Sequence, residues 1–180
     1  MKIKFIILGC GSSMGVPRSD GFFGNCNPKN KKNFRTRCSA IILKGSNSIL
    51  IDTSPDIKDQ LYKSKIKKLS SVIYTHEHAD QTNGLFELRP YYWLKQNKIN
   101  LYGSKKTMSL LRKRFDYCFK KDALYPAIAK SNIIKKRFSI GKGNEKINFD
   151  TLLVKHGLVK SVAYIFEKTA YISDCNDLSI

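Results

Sequence analysis

The sequence contains no apolar run long enough to cross a membrane as a helix. Such a helix requires about 20 consecutive apolar residues, and the apolar run at the start of the chain, residues 2–8, is short and interrupted by Lys4. This run also lacks the form of a secretory signal peptide. We therefore expect a protein without a membrane anchor, located in the cytoplasm.

Cysteine shows no pairing pattern. The five cysteines are odd in number and widely spaced, and they include no Cys-x-x-Cys pair. This distribution argues against a disulfide framework and against a zinc knuckle built from cysteines. We expect reduced thiols, as is usual in the cytoplasm.

Acidic residues are scarce relative to basic ones. The chain has 14 Asp and Glu against 33 Lys and Arg, which gives a net charge of +19. This excess favours anionic partners such as phosphodiesters or nucleic acid through long-range attraction. A lysine bias of the genome would produce the same composition, so charge alone leaves the partner open.

Strand and helix patterns alternate along the first two thirds of the chain. A β-hairpin is predicted over residues 39–43 and 48–52, followed by a helix with Ser54 as its N-cap and a later helix capped by Ser104. From residue 132 onward the pattern predicts strands, the first of them over residues 133–140. The sequence therefore predicts a layered α/β (α+β) sandwich with its site at the strand ends.

A glycine-rich loop follows the first predicted strand, and it raises the question of a dinucleotide site. Gly9 and Gly11 match the start of the Gly-x-Gly-x-x-Gly fingerprint, but the third glycine is misplaced. Pro17 and Gly21 prevent the helix whose N-terminus would hold a pyrophosphate. We reject a dinucleotide site and interpret residues 17–37 as a long functional loop.

The chain has only three histidines, and two of them lie in a His-x-His-x-Asp motif after a predicted strand over residues 71–74. Alternate side chains of an extended backbone face the same side. His76 and His78 can therefore contact one metal ion while Asp80 reaches a neighbouring one. Imidazole and carboxylate ligands suit Zn²⁺ and similar metals. The third histidine, His156, also follows a predicted strand.

Five motifs occur in an order that resembles the metallo-β-lactamase fold superfamily. They are Leu8-Gly9-Cys10-Gly11-Ser12-Ser13, Ile51-Asp52-Thr53, Thr75-His76-Glu77-His78-Ala79-Asp80, His156-Gly157 and Ile172-Ser173-Asp174. Within the superfamily, the chain is most similar to phosphoribosyl cyclic phosphate phosphodiesterases, a resemblance that includes the loop over residues 15–39. It implies one metallo-β-lactamase-like domain over residues 1–180, an αββα sandwich whose C-terminal part is incomplete.

The resemblance also implies roles for individual residues. His76, His78 and His156 would hold one metal ion, Asp80 would hold a second, and Asp174 would bridge the two. The implied cofactor is Zn²⁺, with Mn²⁺ as an alternative and one or two ions per chain. Asp80 and Asp174 would be the catalytic residues that orient the attacking water. Asp52 would support the histidine loop from behind the ligands.

Two departures from the family pattern bear on activity. The family motif ends in a histidine where this chain has Gln81, and an amide is a poorer zinc ligand than imidazole. The family also places a final histidine beyond the bridging aspartate, whereas this chain ends at Ile180. We expect a complete site for the first metal ion, a weakened site for the second, and lowered activity. The chain would then be a truncated or divergent member of the family.

The leading prediction is a metal-dependent phosphodiesterase that acts on a small cyclic or nucleotide-like phosphodiester. Arg18, Arg35, Arg37 and Arg89 are the candidate phosphate contacts. The alternatives are an RNA-processing nuclease in the manner of tRNase Z and a vestigial, non-catalytic metal-binding protein. RNA is not favoured, because the sequence shows no aromatic stacking motif. The oligomeric state stays open, with a homodimer as one option.

Overall fold

The computed structural model describes residues 1–178, and within them ten strands form two sheets. The strands are β1 (Lys4–Gly9), β2 (Ser39–Lys44), β3 (Asn47–Ile51), β4 (Ser71–Ile73), β5 (Ile99–Gly103), β6 (Ala129–Ile133), β7 (Arg137–Ile140), β8 (Ile147–His156), β9 (Val159–Phe166) and β10 (Thr169–Tyr171). The α-helices are α1 (Ile57–Lys63), α2 (Ala79–Thr82), α3 (Arg89–Lys95), α4 (Lys105–Arg114) and α5 (Asp116–Phe119), and short 3₁₀ helices cover Lys31–Asn33, Leu85–Leu88 and Gly143–Glu145.

The larger sheet has the strand order β1-β2-β3-β4-β5-β6. Strands β1 to β3 pair antiparallel, and strands β3 to β6 run parallel. The predicted hairpin is confirmed as β2 and β3, in which Lys44 pairs with Asn47 across a two-residue turn. All five residues of β3 are buried, because the larger sheet is covered on both of its faces.

The two faces of the larger sheet contact different layers. Helices α1, α3, α4 and α5 cover one face, and this core includes Ile41, Leu50, Leu61, Val72, Leu101, Met108, Leu111 and Cys118. The smaller antiparallel sheet, in the order β10-β9-β8-β7, covers the other face, and this core includes Ile42, Ile49, Ile51, Ile73, Phe149, Val162, Tyr164 and Phe166. The predicted α/β sandwich is confirmed. Among residues 1–178, no helix has the length and apolar character of a membrane span.

The strand predicted over residues 133–140 is wrong as a single element. Strand β6 ends at Ile133, which pairs in parallel with Gly103 in the larger sheet, and β7 begins at Arg137 in the smaller sheet. The exposed residues Lys135 and Lys136 lie where the chain crosses between the sheets. An extended sequence pattern does not reveal that its two halves pair with different strands.

The two predicted helix caps had different outcomes. Ser104 caps α4 as predicted, because its Oγ accepts the backbone N–H of Thr107 at 3.1 Å. Ser54 does not cap α1, which begins at Ile57 with Asp56 at the N-cap position. The Oγ of Ser54 instead accepts the N–H of Asp56 at 3.2 Å and shapes the turn before the helix.

Phe149 offers a test of the packing between the sheets. Its side chain is 1 % exposed, and its ring lies 5.1 Å from that of Phe138 and 6.2 Å from that of Tyr164, measured between centroids. We expect Phe149→Ala to lower the free energy of unfolding by about 3–5 kcal/mol, measured by urea denaturation. The exposed Leu158 provides the control, since Leu158→Ala should change it by about 0.5 kcal/mol or less. Equal effects of the two substitutions would contradict this packing.

Candidate metal centre

The predicted site residues lie at the ends of strands from both sheets. Asp52 follows β3 and His76 follows β4, which are neighbouring parallel strands. The carboxyl ends of parallel strands meet at one edge of a sheet, so these two residues are neighbours. His156 is the last residue of β8, and Asp174 lies beyond β10. The smaller sheet must therefore dock in a fixed position to complete the site.

Three hydrogen bonds fix that docking next to the site. The backbone N–H of Val162 donates to the carbonyl oxygen of Thr75 at 2.9 Å. The hydroxyl of Tyr164 donates to the carbonyl oxygen of Tyr74 at 2.7 Å. The hydroxyl of Ser173 donates to Oγ1 of Thr75 at 3.2 Å. The smaller sheet is thus bonded directly to the segment that leads into His76.

The structure brings the three histidines together. One ring nitrogen from each of His76, His78 and His156 lies within 4.8 Å of the others, and we call this group the His cluster. The ring centroids are 4.6 to 5.1 Å apart, and Nε2 of His156 is 3.3 Å from Nδ1 of His78. Rings at this spacing and roughly perpendicular to one another can direct three nitrogens toward a common point.

The chemistry of the His cluster fits a bound metal ion. Burial lowers the pKa of His76 to about 4, against the opposing effect of Asp174, so the ring is neutral at neutral pH and keeps a free lone pair. Its Nε2 is buried and has no hydrogen-bond partner among residues 1–178. A buried polar atom without a partner is costly, and a ligand bond to a metal removes that cost. Three imidazoles suit Zn²⁺.

A chain of hydrogen bonds behind His76 sets its orientation. The carboxylate of Asp52, which is fully buried, accepts the backbone N–H of Thr75 at Oδ1 and its hydroxyl at Oδ2, both at 2.8 Å. Because the Thr75 hydroxyl uses its hydrogen on Asp52, Nδ1 of His76, 3.0 Å from Oγ1, must be the donor in that contact. We assign the proton of His76 to Nδ1, which leaves the lone pair of Nε2 facing the His cluster.

The two catalytic candidates, Asp80 and Asp174, lie beside the His cluster but outside the 4.8 Å group. Gln81 joins them, with Nε2 at 3.2 Å from Oδ2 of each carboxylate. The prediction that Asp80 continues an extended run is wrong. The extended backbone ends at His78, the N-cap of α2, and Asp80 is in the first turn of that helix.

Glu77 holds the histidine loop from the opposite side, a role that sequence reasoning missed. Its side chain is buried and lies 2.6 Å from Nζ of Lys106, and it accepts the hydroxyl of Thr107 at 3.2 Å. The guanidinium of Arg114 donates to the Glu77 carbonyl oxygen at 2.5 Å. All three donors belong to α4, so a carboxylate between two histidines anchors the loop to a helix instead of binding metal.

A cavity of about 790 Å³ lies between the loop over residues 13–20 and the segment over residues 34–37. Asp56 and Lys63 complete its lining. The glycine-rich loop after β1 forms the neighbouring wall, where the N–H of Gly11 donates to the carbonyl oxygen of Thr36 at 2.7 Å. Gly9 and Gly11 are thus required for close backbone packing, since a Cβ at either position would lie within 3 Å of the segment over residues 35–37.

The four candidate arginines differ in their partners. Arg18 forms an ion pair with Asp20, and Arg37 forms one with Asp56, at 2.6 Å. Arg89 lies 4.2 Å above the ring of Phe86, on another part of the surface.

Arg35 is the one of the four arginines that lines the cavity without a carboxylate partner in the described part of the chain. Its Nη1 contacts Sγ of Cys10 at 3.1 Å.

Two thiols, those of Cys10 and Cys38, lie at the glycine-rich loop that follows β1. Burial raises the pKa of Cys38 to about 11, with further contributions from Asp174, Asp52, Cys10 and Asp80. The Cys38 thiol donates to the carbonyl oxygen of Gly11 at 3.4 Å.

The comparison with protein families places most of the chain in one of them. A family model described as the beta-lactamase superfamily domain matches residues 47–179. A curated octanoyltransferase from Porphyromonas gingivalis (strain ATCC BAA-308 / W83) is 28 % identical over 178 residues. The match covers 98 % of this chain but 36 % of that protein, so the chain spans about a third of the curated relative's length.

Solved structures support the same assignment. A structure described as a new diphosphatase from the PhnP family is 28 % identical with a TM-score of 0.81, covering 98 % of this chain and 68 % of the other. Zn²⁺-bound PqqB from Methylobacterium extorquens is 16 % identical with a TM-score of 0.73, covering 99 % and 67 %. Human tRNase Z, short form, is 14 % identical with a TM-score of 0.61, covering 94 % and 67 %. The last two show a shared fold.

The family match over more than half of the sequence, the layered fold and the histidines at its strand ends agree with one another. This chain belongs to the beta-lactamase superfamily, as a PhnP-like protein with the metallo-β-lactamase fold.

Proposed function

We propose that this chain is a metal-dependent phosphodiesterase that cleaves a small cyclic or nucleotide-like phosphodiester. The observation that carries the proposal is the His cluster, which brings one ring nitrogen from each of three histidines within 4.8 Å of the others. The name of the diphosphatase relative supports a phosphate-containing substrate. The octanoyltransferase relative does not indicate acyl transfer by this chain, because the match covers only about a third of that protein.

Each group of the site has a role in this proposal. His76, His78 and His156 would hold Zn²⁺ or Mn²⁺. When bound, the ion supplies Lewis-acid chemistry that polarises a phosphoryl oxygen and makes water a better nucleophile at neutral pH. Asp80 and Asp174 orient the attacking water and take its proton. The water oxygen forms the new bond to phosphorus, one ester P–O bond breaks, and the departing oxygen is protonated.

Removal of one histidine ligand tests the proposed chemistry. We expect His78→Ala to lower kcat/KM for bis(p-nitrophenyl) phosphate by about 100-fold or more, because a lost ligand removes several kcal/mol of transition-state stabilisation. The measurement uses protein loaded with Zn²⁺ or Mn²⁺, and the exposed Lys160 provides the control variant Lys160→Ala, which should keep its activity. Loaded wild-type protein that hydrolyses no phosphodiester would favour the non-catalytic alternative. Cleavage of RNA but not of small phosphodiesters would favour the nuclease.

A comparison of substitutions at Arg35 and Arg18 distinguishes a specific contact with the substrate from a general effect of positive charge. We expect Arg35→Met to raise KM about 10-fold or more with little change in kcat, since a hydrogen bond to a charged phosphate contributes about 1.5–3 kcal/mol. Arg18→Met removes the same charge from the same cavity, but that guanidinium is paired with Asp20, so KM should change little. Equal effects in the two variants would contradict a specific role for Arg35.

Substitutions of Thr75 test the assignment of the His76 proton to Nδ1. Thr75→Val keeps the shape of the side chain but removes the hydroxyl, and we expect Zn²⁺ affinity to fall by about 10- to 100-fold. Thr75→Ser keeps the hydroxyl and should retain the affinity. Competition with a chromophoric chelator measures both, with thermal unfolding as a check of folding. Equal affinities of the valine and serine variants would contradict the proposed orientation of His76.

A further inference from the structure

Gln81 occupies the space between the two catalytic carboxylates. Its side chain is fully buried, and its Nε2 lies 3.2 Å from Oδ2 of Asp80 and 3.2 Å from Oδ2 of Asp174. A primary amide carries two N–H groups, so each carboxylate receives one of them. The two acidic side chains are thus joined through a neutral donor.

The orientation of this amide is determined by its surroundings. Reversal would place Oε1 against two carboxylate oxygens, all of them acceptors, and would take the N–H groups away from both carboxylates. As oriented, Oε1 is buried and has no partner within residues 1–178. The orientation is therefore set by the pull of Asp80 and Asp174 on the N–H groups.

A second cation and this amide would compete for the same position. An ion that ligated Oδ2 of both Asp80 and Asp174 would have to replace the amide nitrogen that now contacts both atoms. The charge balance of the site favours the neutral amide over a second divalent ion. Imidazole ligands add no charge to a bound metal ion, so the two carboxylates already balance one divalent ion, and a second ion would add positive charge in a partly buried position.

We infer that the Gln81 amide takes the place of a second metal ion, so that this chain binds one divalent ion, at the His cluster. The inference rests on the proposed function for the ion held by His76, His78 and His156. It assigns Gln81 as a positioning residue that holds Asp80 and Asp174 toward the reacting water while excluding another cation.

Metal stoichiometry tests the inference directly. Chelator-treated wild-type protein is dialysed against Mn²⁺, and bound metal per chain is measured by mass spectrometry together with the electron paramagnetic resonance spectrum. We expect one ion per chain and the spectrum of an isolated Mn²⁺. Gln81→His removes the bridging N–H groups and adds an imidazole, so it should bind two ions and show the spectrum of a spin-coupled pair. Gln96→His adds an imidazole at an exposed position and should still bind one.

The outcomes distinguish this inference from the proposed function. One ion in wild-type protein with no hydrolysis would overturn the proposed function and the role of Gln81 toward a reacting water, while the exclusion of a second ion by the amide would stand. Two coupled ions in wild-type protein would overturn the inference and leave the proposed function intact. No bound ion would overturn both. The wild-type result decides the question even if Gln81→His fails to fold, and a folded Gln81→His variant that binds a single ion would also count against the inference.

Discussion

The site depends on one buried carboxylate. Asp52 is fully buried at the end of β3, in a left-handed backbone conformation with φ of 60°. Burial raises the pKa of Asp52, while its two hydrogen bonds from Thr75 oppose that shift. Those bonds fix the segment that follows β4 and, through the Thr75 hydroxyl, the proton of His76. The surrounding hydrogen bonds hold Asp52 in this strained conformation, and the same bonds set the orientation of the His76 ring.

Thr75 also connects the two sheets. The carbonyl oxygen of Thr75 accepts the backbone N–H of Val162, and its hydroxyl accepts the hydroxyl of Ser173. These bonds fix the smaller sheet relative to the larger one at the site itself. His156 and Asp174 belong to the smaller sheet or follow it. Their placement relative to His76 is thus a consequence of sheet packing. Stability of the inter-sheet core and geometry of the site are coupled through these contacts.

The elements predicted well are those that local patterns determine. The hairpin of β2 and β3 and the Ser104 cap require only neighbouring residues, and histidines at strand ends follow from short apolar runs. The predicted Ser54 cap failed although it is a local feature, since α1 begins at Ile57, whereas the other predictions that failed depend on distant contacts. The division of residues 133–140 between two sheets and the helical position of Asp80 are set by packing. The bond from Gln81 to Asp174 joins residues 93 positions apart, so its geometry could not be predicted even though Gln81 was singled out.

Charge balance connects the site to the rest of the surface. Under the proposed function, a single divalent ion would neutralise Asp80 and Asp174 and would leave no excess charge to attract a phosphodiester. The attraction must come from elsewhere, and the net charge of +19 supplies it at long range. At close range the attraction requires a cation without a carboxylate partner, and of the four candidate arginines Arg35 is the one that lines the cavity in that state. A site with one ion therefore relies more on Arg35 than a site with two ions would, because the second ion would itself have held the phosphate.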